Sequence, residues 1–360
     1  MEDSWNNATN ILCIRLDNMG DVLMTTPALR ALKQAVPGRR ITLLTSSAGA
    51  PIARMVPEID EVLTFDVPWV KTDTPDGPEA VLALADKLKT YIFDGAVIHT
   101  VYSQNPMPAA MLCYLAGIPR IAGYCRENPY GLITEWLPDP EPLETIRHEV
   151  DRQLDLVRML GAELPADDDR RLSLQVSDSE HTAVRQLLKD LGVQTDKPWL
   201  LLHPGVSEEK RRYPAADYIR ACRTLIDEDG YHIILTGSRS ERDYCDSIQQ
   251  QLGDSCVNAA DTCSLHTLCA LIAEAPLLIS NNTGPVHVAA AVGTPVVVLY
   301  AMTNPQHTPW QVANRVLYFD VPNHLRSKNR LLQNFPGQAE PKASPEAIVA
   351  AVRALGEQHA

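Results

Sequence analysis

What most constrains this chain is an alternation, run through twice, of short apolar segments with longer segments of helical period. Residues 11–16 read as a buried strand, followed by a helix on which Leu29, Leu32 and Val36 share one face. Residues 41–45, 62–65 and 96–99 are further strands. Residues 145–160 form a helix carrying Ile146, Val150, Leu154, Val157 and Leu160, which stops at Gly161. The polar stretch GAELPADDDRR breaks the pattern and reads as a linker. The rhythm then restarts: strands at 199–203, 231–236, 277–280 and 296–300 alternate with helices at 215–227, 240–252, 264–273 and 286–292. Strands separated by helices of this length imply βαβ crossovers and parallel sheets covered on both faces. The expectation is an α/β protein of two doubly wound, Rossmann-like domains facing one another across a cleft. They span 1–165 and 175–340, and a closing helix lies within 343–360, capped by Ser344 with Pro345 in its first turn.

Composition narrows the class. Of 360 residues 45% are hydrophobic, enough for large cores, which excludes a disordered or fibrous chain. The longest apolar stretch, 286–302, is interrupted by His287, Gly293 and Pro295 and reads as a buried helix followed by a buried strand. That falls short of the roughly 20 apolar residues of a membrane span. The start, MEDSWNNATN, resembles neither a signal peptide nor a presequence. With 32 basic and 45 acidic residues, the net charge of −13 argues against nucleic-acid binding and leaves at most a weak peripheral membrane contact. Eight cysteines contain no C-x-x-C pair and sit mostly in apolar runs, as small buried hydrophobes of a cytoplasmic protein. The Asp167-Asp168-Asp169 run reads as a solvated turn rather than a metal site. No metal and no cofactor are expected.

Function in such folds sits at the carboxyl ends of strands. The loop after the first strand, Asp17-Asn18-Met19-Gly20-Asp21, lacks G-x-G-x-x-G, and no P-loop occurs anywhere in the chain. Gly20 permits a tight turn and Asp21 emerges beside it, either as a proton acceptor for a hydroxyl or as an anion favoured in a first helical turn. The loop 203–214 brings His203, Gly205, Lys210, Arg211 and Arg212 together, as phosphate ligands or as a solvated charged loop beside Glu208 and Glu209. In the segment SNNTGPVH, Thr283 sits at an N-cap position and Gly284 lets a ligand approach the backbone. Pro285 suits the first turn, and the helix start is a ready anion site. His287 is either a hydrogen-bonded core histidine or a ligand. In TGSRSE, Gly237 precedes Glu241, which either stabilises its helix start or accepts from ribose hydroxyls.

Together these segments resemble glycosyltransferase family 9, which includes the ADP-heptose:lipopolysaccharide heptosyltransferases. The carriers are IRLDNMGDVLMTTPALRALK, HPG with the Lys/Arg-x-Tyr-Pro that follows, and SNNTGPVHVAAAVGTPVVVLY, in that order over most of the chain. The resemblance implies a GT-B fold with acceptor on the first domain and nucleotide sugar on the second. It also implies an inverting, metal-independent transfer. Asp21 matches the family's general base, Thr283 and Gly284 its diphosphate-binding helix start, and Glu241 its ribose-binding acid. The phosphate-binding lysine matches Lys210 counting from His203, but Arg211 counting back from Tyr213-Pro214, because this loop has one extra residue. Two features depart from the heptosyltransferases: Asn282 stands where they carry Asp, and Ala301-Met302-Thr303-Asn304 replaces Gly-Pro-Thr-Asp.

The implied donor is an ADP-heptose-like nucleotide sugar, held by His203, Gly205, Lys210, Arg211, Gly237, Glu241, Asn282, Thr283, Gly284 and His287. The implied acceptor is a glycan or glycolipid such as a lipopolysaccharide core, near Asn18, Met19, Gly20, Arg120 and Arg126. Arg147, His148 and Arg152 are further cations of this domain, with Glu127 and Glu149 as candidate ion-pair partners. Competing readings are a family-9-like transferase using another nucleotide sugar or acceptor, and a nucleotide-sugar epimerase on the same fold. A non-enzymatic sugar-binding protein is a third.

Overall fold

The computed structural model describes residues 5–72, 76–165, 170–206, 208–301, 305–321 and 342–357, without the side chains of Lys210 and Pro305. The Asp167-Asp168-Asp169 run and Met302, Thr303 and Asn304 lie outside the described residues. The chain divides into two compact units, Met1–Gln175 and Val176–Ala360.

In the first unit, β1 (Asn10–Ile14), β2 (Arg40–Thr45), β3 (Glu61–Thr64), β4 (Gly95–Ile98), β5 (Ile121–Cys125) and β6 (Glu135–Pro138) form one parallel sheet, ordered β3-β2-β1-β4-β5-β6. Its helices are α1 (Met19–Ala35), α2 (Ala50–Ala53), α3 (Pro78–Lys89), α4 (Met107–Leu115) and α5 (Glu149–Arg158). In the second unit, β7 (Trp199–His203), β8 (His232–Leu235), β9 (Cys256–Asn258), β10 (Leu278–Asn281), β11 (Val296–Ala301) and β12 (Asn314–Phe319) are ordered β12-β11-β10-β7-β8-β9. Around it lie α6 (Asp178–Asp190), α7 (Ala215–Asp229), α8 (Arg242–Leu252), α9 (Leu265–Glu274), α10 (Gly284–Val292) and α11 (Pro345–Gly356). Strand order reverses between β1 and β4 in one sheet and between β10 and β7 in the other. Loops leaving the carboxyl ends of such a pair diverge and open a crevice for ligands.

The central strands are apolar on both faces because helices cover both. Ile11, Leu12, Cys13 and Ile14 are at most 1% exposed, and all of β7 and β11 is buried. Full burial of each such Leu or Ile contributes about 1.5–3 kcal/mol. Pro27 lies inside α1 and leaves the carbonyl of Leu23 without its helical donor. The Thr26 hydroxyl donates to that carbonyl at 2.7 Å, so the helix continues. Cysteines are all free, and each except the half-buried Cys263 is buried.

Several expectations change. The helix expected from 145 begins at Glu149, because Arg147 N–H donates to Glu141 Oε1 and the His148 ring caps Val150 N–H. The segment beginning at 240 is a 3-10 turn before α8. β5, β6, β9, β12 and α6 were not expected from the apolar pattern. Past the polar stretch, Ser173 still hydrogen-bonds Thr26 and Glu58, and Gln175 N–H reaches Met55 O. These bonds hold the chain on the first unit as far as Gln175. No described helix is long and apolar enough to cross a membrane.

Candidate active site

In the first unit the site grows from the carboxyl end of β1. Arg15, the first residue past the strand, is fully buried. Its guanidinium meets three carboxylates: Asp17 at 3.0 Å, Asp21 at 3.1 Å and Glu149 at 2.7 Å. Burial alone would lower the arginine's pKa, but Glu149, Asp17 and Asp21 outweigh it and push it up. Asp21 is the third residue of α1, held there by the turn at Asn18, whose carbonyl accepts from the N–H groups of Asp21 and Val22. Asn18 is exposed and occupies the N-cap position without a capping side-chain bond; Met19 is half-buried and Gly20 buried.

Around this cluster lie groups that sequence reasoning missed. Burial pushes the Asp17 carboxyl up to about 7, against the attraction of Arg15, with Asp21 and Glu149 adding to the rise and a hydrogen bond from Gln104 opposing it. Gln104 Nε2 donates to Asp17 Oδ1. Gln153 Nε2 donates to Glu149 Oε1 at 2.7 Å and to Thr100 O at 3.1 Å, and its Oε1 faces His99 Nδ1 at 2.8 Å. Burial lowers His99 to about 4, so the ring is neutral. Asp17, His99 and Gln104 had only their place after a strand as a sequence signal, and Gln153, within α5, had none.

The structure separates the predicted acceptor cations. Arg126 follows β5 at the carboxyl edge, donating to Tyr102 O and to Glu141 O, with Asp139 at 3.3 Å. Arg120 precedes β5 at the opposite, amino edge, where Nη1 donates to Asp94 O at 2.9 Å. Arg152 is buried against Asp139 and Glu141 and stacks on the Tyr124 ring at 4.0 Å. Arg147 pairs with Glu141 and Asp155, and His148 caps α5. Glu149, named as a partner for these cations, pairs with Arg15 instead.

In the second unit the corresponding loops leave β7 and β10. Asn281 ties them together: Nδ2 donates to Pro204 O at 2.8 Å and Oδ1 accepts from Tyr213 N–H at 3.1 Å. Thr283 holds the N-cap position of α10 in extended conformation, but its hydroxyl donates back to Asn281 O and does not cap. The first turn, opening at Gly284, therefore has no side-chain cap, although Pro285 removes one donor from it. Asn282 is 6% exposed, with Oδ1 unbonded among the described residues. Burial raises the pKa of Tyr300, whose phenol lies close to Asn282 and to the Arg211 charge. That proximity brings Arg211 to the end of β11; the side chain of Lys210 lies outside the described residues. His287 is buried, its ring edge-on to His307 with centroids 6.4 Å apart.

Glu241 joins this group from the loop after β8. Its Oε2 accepts from Ser238 N–H at 2.7 Å and from the Ser238 hydroxyl at 2.8 Å. A Cβ on residue 205 would stand 2.0 Å from Glu241 Oε1, so glycine is required there while the carboxylate lies in place. At Gly237 a Cβ would meet the Glu241 Cβ at 3.2 Å. His203 is buried with Nδ1 3.1 Å from Thr236 Oγ1; burial lowers its pKa and the nearby Glu241 opposes that. Among the described residues no three His, Cys, Asp or Glu side chains are grouped to hold a metal ion.

Comparison with known proteins agrees with this architecture. Residues 81–333 match the model of glycosyltransferase family 9 (heptosyltransferase). The sequence is 26% identical over 309 residues to lipopolysaccharide heptosyltransferase 2 of Escherichia coli, covering 83% of this chain and 84% of that one. Among solved structures, a family 9 glycosyl transferase from Veillonella parvula superposes with a TM-score of 0.80 at 21% identity, covering 99% of both chains. Escherichia coli heptosyltransferase WaaC, solved with ADP-2-deoxy-2-fluoro heptose, superposes with a TM-score of 0.66 at 18% identity, covering 98% of this chain and 100% of that one.

Proposed function

Because the chain belongs to glycosyltransferase family 9, we propose that it transfers a heptose from ADP-heptose to a hydroxyl of a lipopolysaccharide core sugar, with inversion and without a metal ion. The observation that carries this reading is the Asp21 carboxylate, anchored by a buried arginine in the first turn of α1 beside the strand-order reversal.

The acceptor hydroxyl attacks the anomeric carbon while its proton passes to Asp21, and the bond to the ADP oxygen breaks on the opposite face. An arginine paired with Asp21 alone would stabilise the carboxylate and weaken it as a base. Here Arg15 is shared with Asp17 and Glu149, so it orients Asp21 without neutralising the cluster. ADP gains negative charge as it departs. The uncapped start of α10 at Thr283 and Gly284, with Arg211 or Lys210, offsets that charge. Glu241, steadied by Ser238 beside Gly205 and Gly237, takes the ribose hydroxyls, with His203 and His287 beneath the donor loops. Asn18, Met19, Gly20 and Arg126 border the acceptor. Asn282, where the heptosyltransferases carry Asp, favours a second reading in which the same reaction uses a different nucleotide sugar.

Calorimetric titration with ADP, UDP, GDP and CDP, with and without EDTA, tests the donor, followed by ADP release from ADP-heptose with a heptose-free core acceptor. Selective ADP binding that ignores EDTA, and acceptor-dependent ADP release, are expected. Selective binding of another nucleotide moves the donor to the second reading. Absence of any nucleotide binding overturns the proposal.

A further inference from the structure

The large apolar side chains left in solvent are not scattered. Among the described residues all seven belong to the first unit, and five of them follow α4 from end to end. Met111, Tyr114 and Leu115, spaced by three and four, form the outer face of this helix, while Ala109, Ala110, Leu112 and Cys113 are buried beneath it. Tyr130 stands in the 3-10 turn Tyr130–Leu132, which packs against α4. Ile92 shares a surface hollow with Ala116, Gly117 and Ile118 at the other end of the helix. Scattered exposed apolar residues are ordinary; a contiguous strip of them marks an interaction surface.

The backbone adds a second observation. Ile92 and Tyr130, 81% and 83% exposed, both have positive φ, at 51° and 50°. That region strains residues with a side chain, a β-branched one most of all, and costs glycine nothing. Backbone bonds hold both turns, Ile92 N–H to Lys89 O and Tyr130 N–H to Asn128 Oδ1, and glycine would make them equally well. So at each end of the strip a strained turn presents an apolar side chain that the fold does not bury. The benefit lies outside the fold.

We propose that this strip is where the first unit rests on a lipid bilayer, with α4 lying along the membrane interface. The chemistry of the strip favours lipid over a protein partner. No charged residue occurs from 100 to 119, in a chain that is 21% charged, and a tyrosine, apolar in the ring and polar at the tip, suits the boundary between acyl chains and headgroups. The strip exposes on the order of 500 Å², less than the roughly 800 Å² each partner gives to a stable protein interface. Its place fits the proposed reaction, on whose glycolipid acceptor this inference rests. The loop from β4 to α4 carries Gln104, which hydrogen-bonds Asp17 in the Arg15 cluster that also holds Asp21. A unit lying on α4 therefore brings the proposed base close to the surface in which the acceptor's lipid is embedded.

Flotation of the full chain with phosphatidylcholine vesicles, with and without phosphatidylglycerol, tests this. Because the strip is uncharged, the chain should float with both and remain bound in about 0.5 M salt. The double variant Met111→Gln, Tyr114→Gln should weaken vesicle binding by about tenfold or more, with ADP binding and melting temperature unchanged. Ile92→Gly should weaken it about threefold while the melting temperature stays level or rises, since the substitution also removes the strain. No flotation, flotation that both variants share, or flotation only with phosphatidylglycerol and lost in salt overturns the proposal. So does a dimer in analytical ultracentrifugation that the double variant splits, which would give the face to a second copy of the chain. Flotation without ADP binding would keep the docking face and sink the transfer reaction. Transfer to a detergent-dispersed acceptor without flotation would do the reverse, so the two failures are distinguishable.

Discussion

Asp21 and Gly284 occupy like stations: each stands in the first turn of a helix that follows a central strand, beside the strand-order reversal of a parallel six-stranded sheet. Their surroundings differ. Around Asp21 the charges are dense, buried and tied to one guanidinium. Around Gly284 the nearby buried side chains, Asn281, Asn282 and Tyr300, are uncharged, the helix start is uncapped, and glycines at 205 and 237 make room for a carboxylate. A site that must hold a base in one orientation needs its charge fixed in advance. A site that receives an anion needs donors, space and a cation free to meet it, and a buried cluster of carboxylates there would only compete. The same βαβ frame therefore carries two electrostatic plans, and each substitution below tests whether one plan is what its site depends on.

The largest effect is expected at Asp21. Asp21→Asn keeps the shape and the helix turn but removes the proton acceptor, and should lower turnover by about 10²–10⁴ with ADP affinity nearly unchanged. Stopped-assay turnover beside calorimetric ADP affinity separates the two. Near wild-type turnover would reduce Asp21 to a first-turn anion and dissolve the contrast with Gly284.

Next comes Arg15→Leu, which fills similar space but strands three carboxylates around a buried apolar side chain. Removing one partner of a buried ion pair costs about 3–5 kcal/mol, and denaturant unfolding should register a loss of that order. The matching change in the other unit, Arg211→Leu, removes a cation that is a third exposed and pairs only loosely with Glu208, at 3.8 Å. It should leave stability nearly unchanged and weaken ADP binding instead. Equal stability losses would mean that the two sites do not differ in how their charges are held.

Gly205→Ala sharpens the second plan. The new Cβ would stand 2.0 Å from Glu241 Oε1, and the cheapest relief is for that carboxylate to swing away from its Ser238 bonds. A surface-level stability cost near about 1 kcal/mol should accompany roughly tenfold weaker ADP binding, one lost charge-assisted pair of hydrogen bonds. Unchanged ADP affinity would remove Glu241 from the nucleotide site.

Legibility in the sequence followed the same division. Central strands such as β1, β7 and β11 stand out because both faces are buried, giving unbroken apolar runs. Edge strands β6 and β12 are mostly half-exposed, and their mixed residues carry no such signal. Asp21 and Gly284 were singled out by their place in glycine-containing turns after strands, a pattern that capping and first-turn charge also produce, and their proposed roles came from the family resemblance. Arg15, Asp17 and Glu149 were not: Glu149 lies 134 residues from Arg15, and only the fold brings them within 2.7 Å. Arg120 was assigned to the acceptor side because β5 was not foreseen. Without that strand, nothing tells that Arg120 precedes it and Arg126 follows it, on opposite edges of the sheet.

The smallest effect concerns how the first site shares its charge. Burial pushes Asp17 up to about 7 in the folded chain, whereas an unfolded Asp titrates near about 3.9. Between those values the native state keeps a proton that the unfolded state has released. Its contribution therefore favours folding at low pH and is lost as pH rises through 7. His99 runs the other way. Burial lowers it to about 4 against about 6.5 unfolded, so the stability tied to it grows as pH rises between those values. The two trends oppose each other in the wild type across the mildly acidic range. Asp17→Asn deletes only the first, so its melting temperature should climb more steeply with pH from about 4 to 7 than the wild type's. Parallel curves would mean that Asp17 is already ionised in the native cluster at low pH. Arg15 would then be shared by three ionised carboxylates at low pH as well, and the charge-sharing that keeps Asp21 from being neutralised would not rest on Glu149 alone.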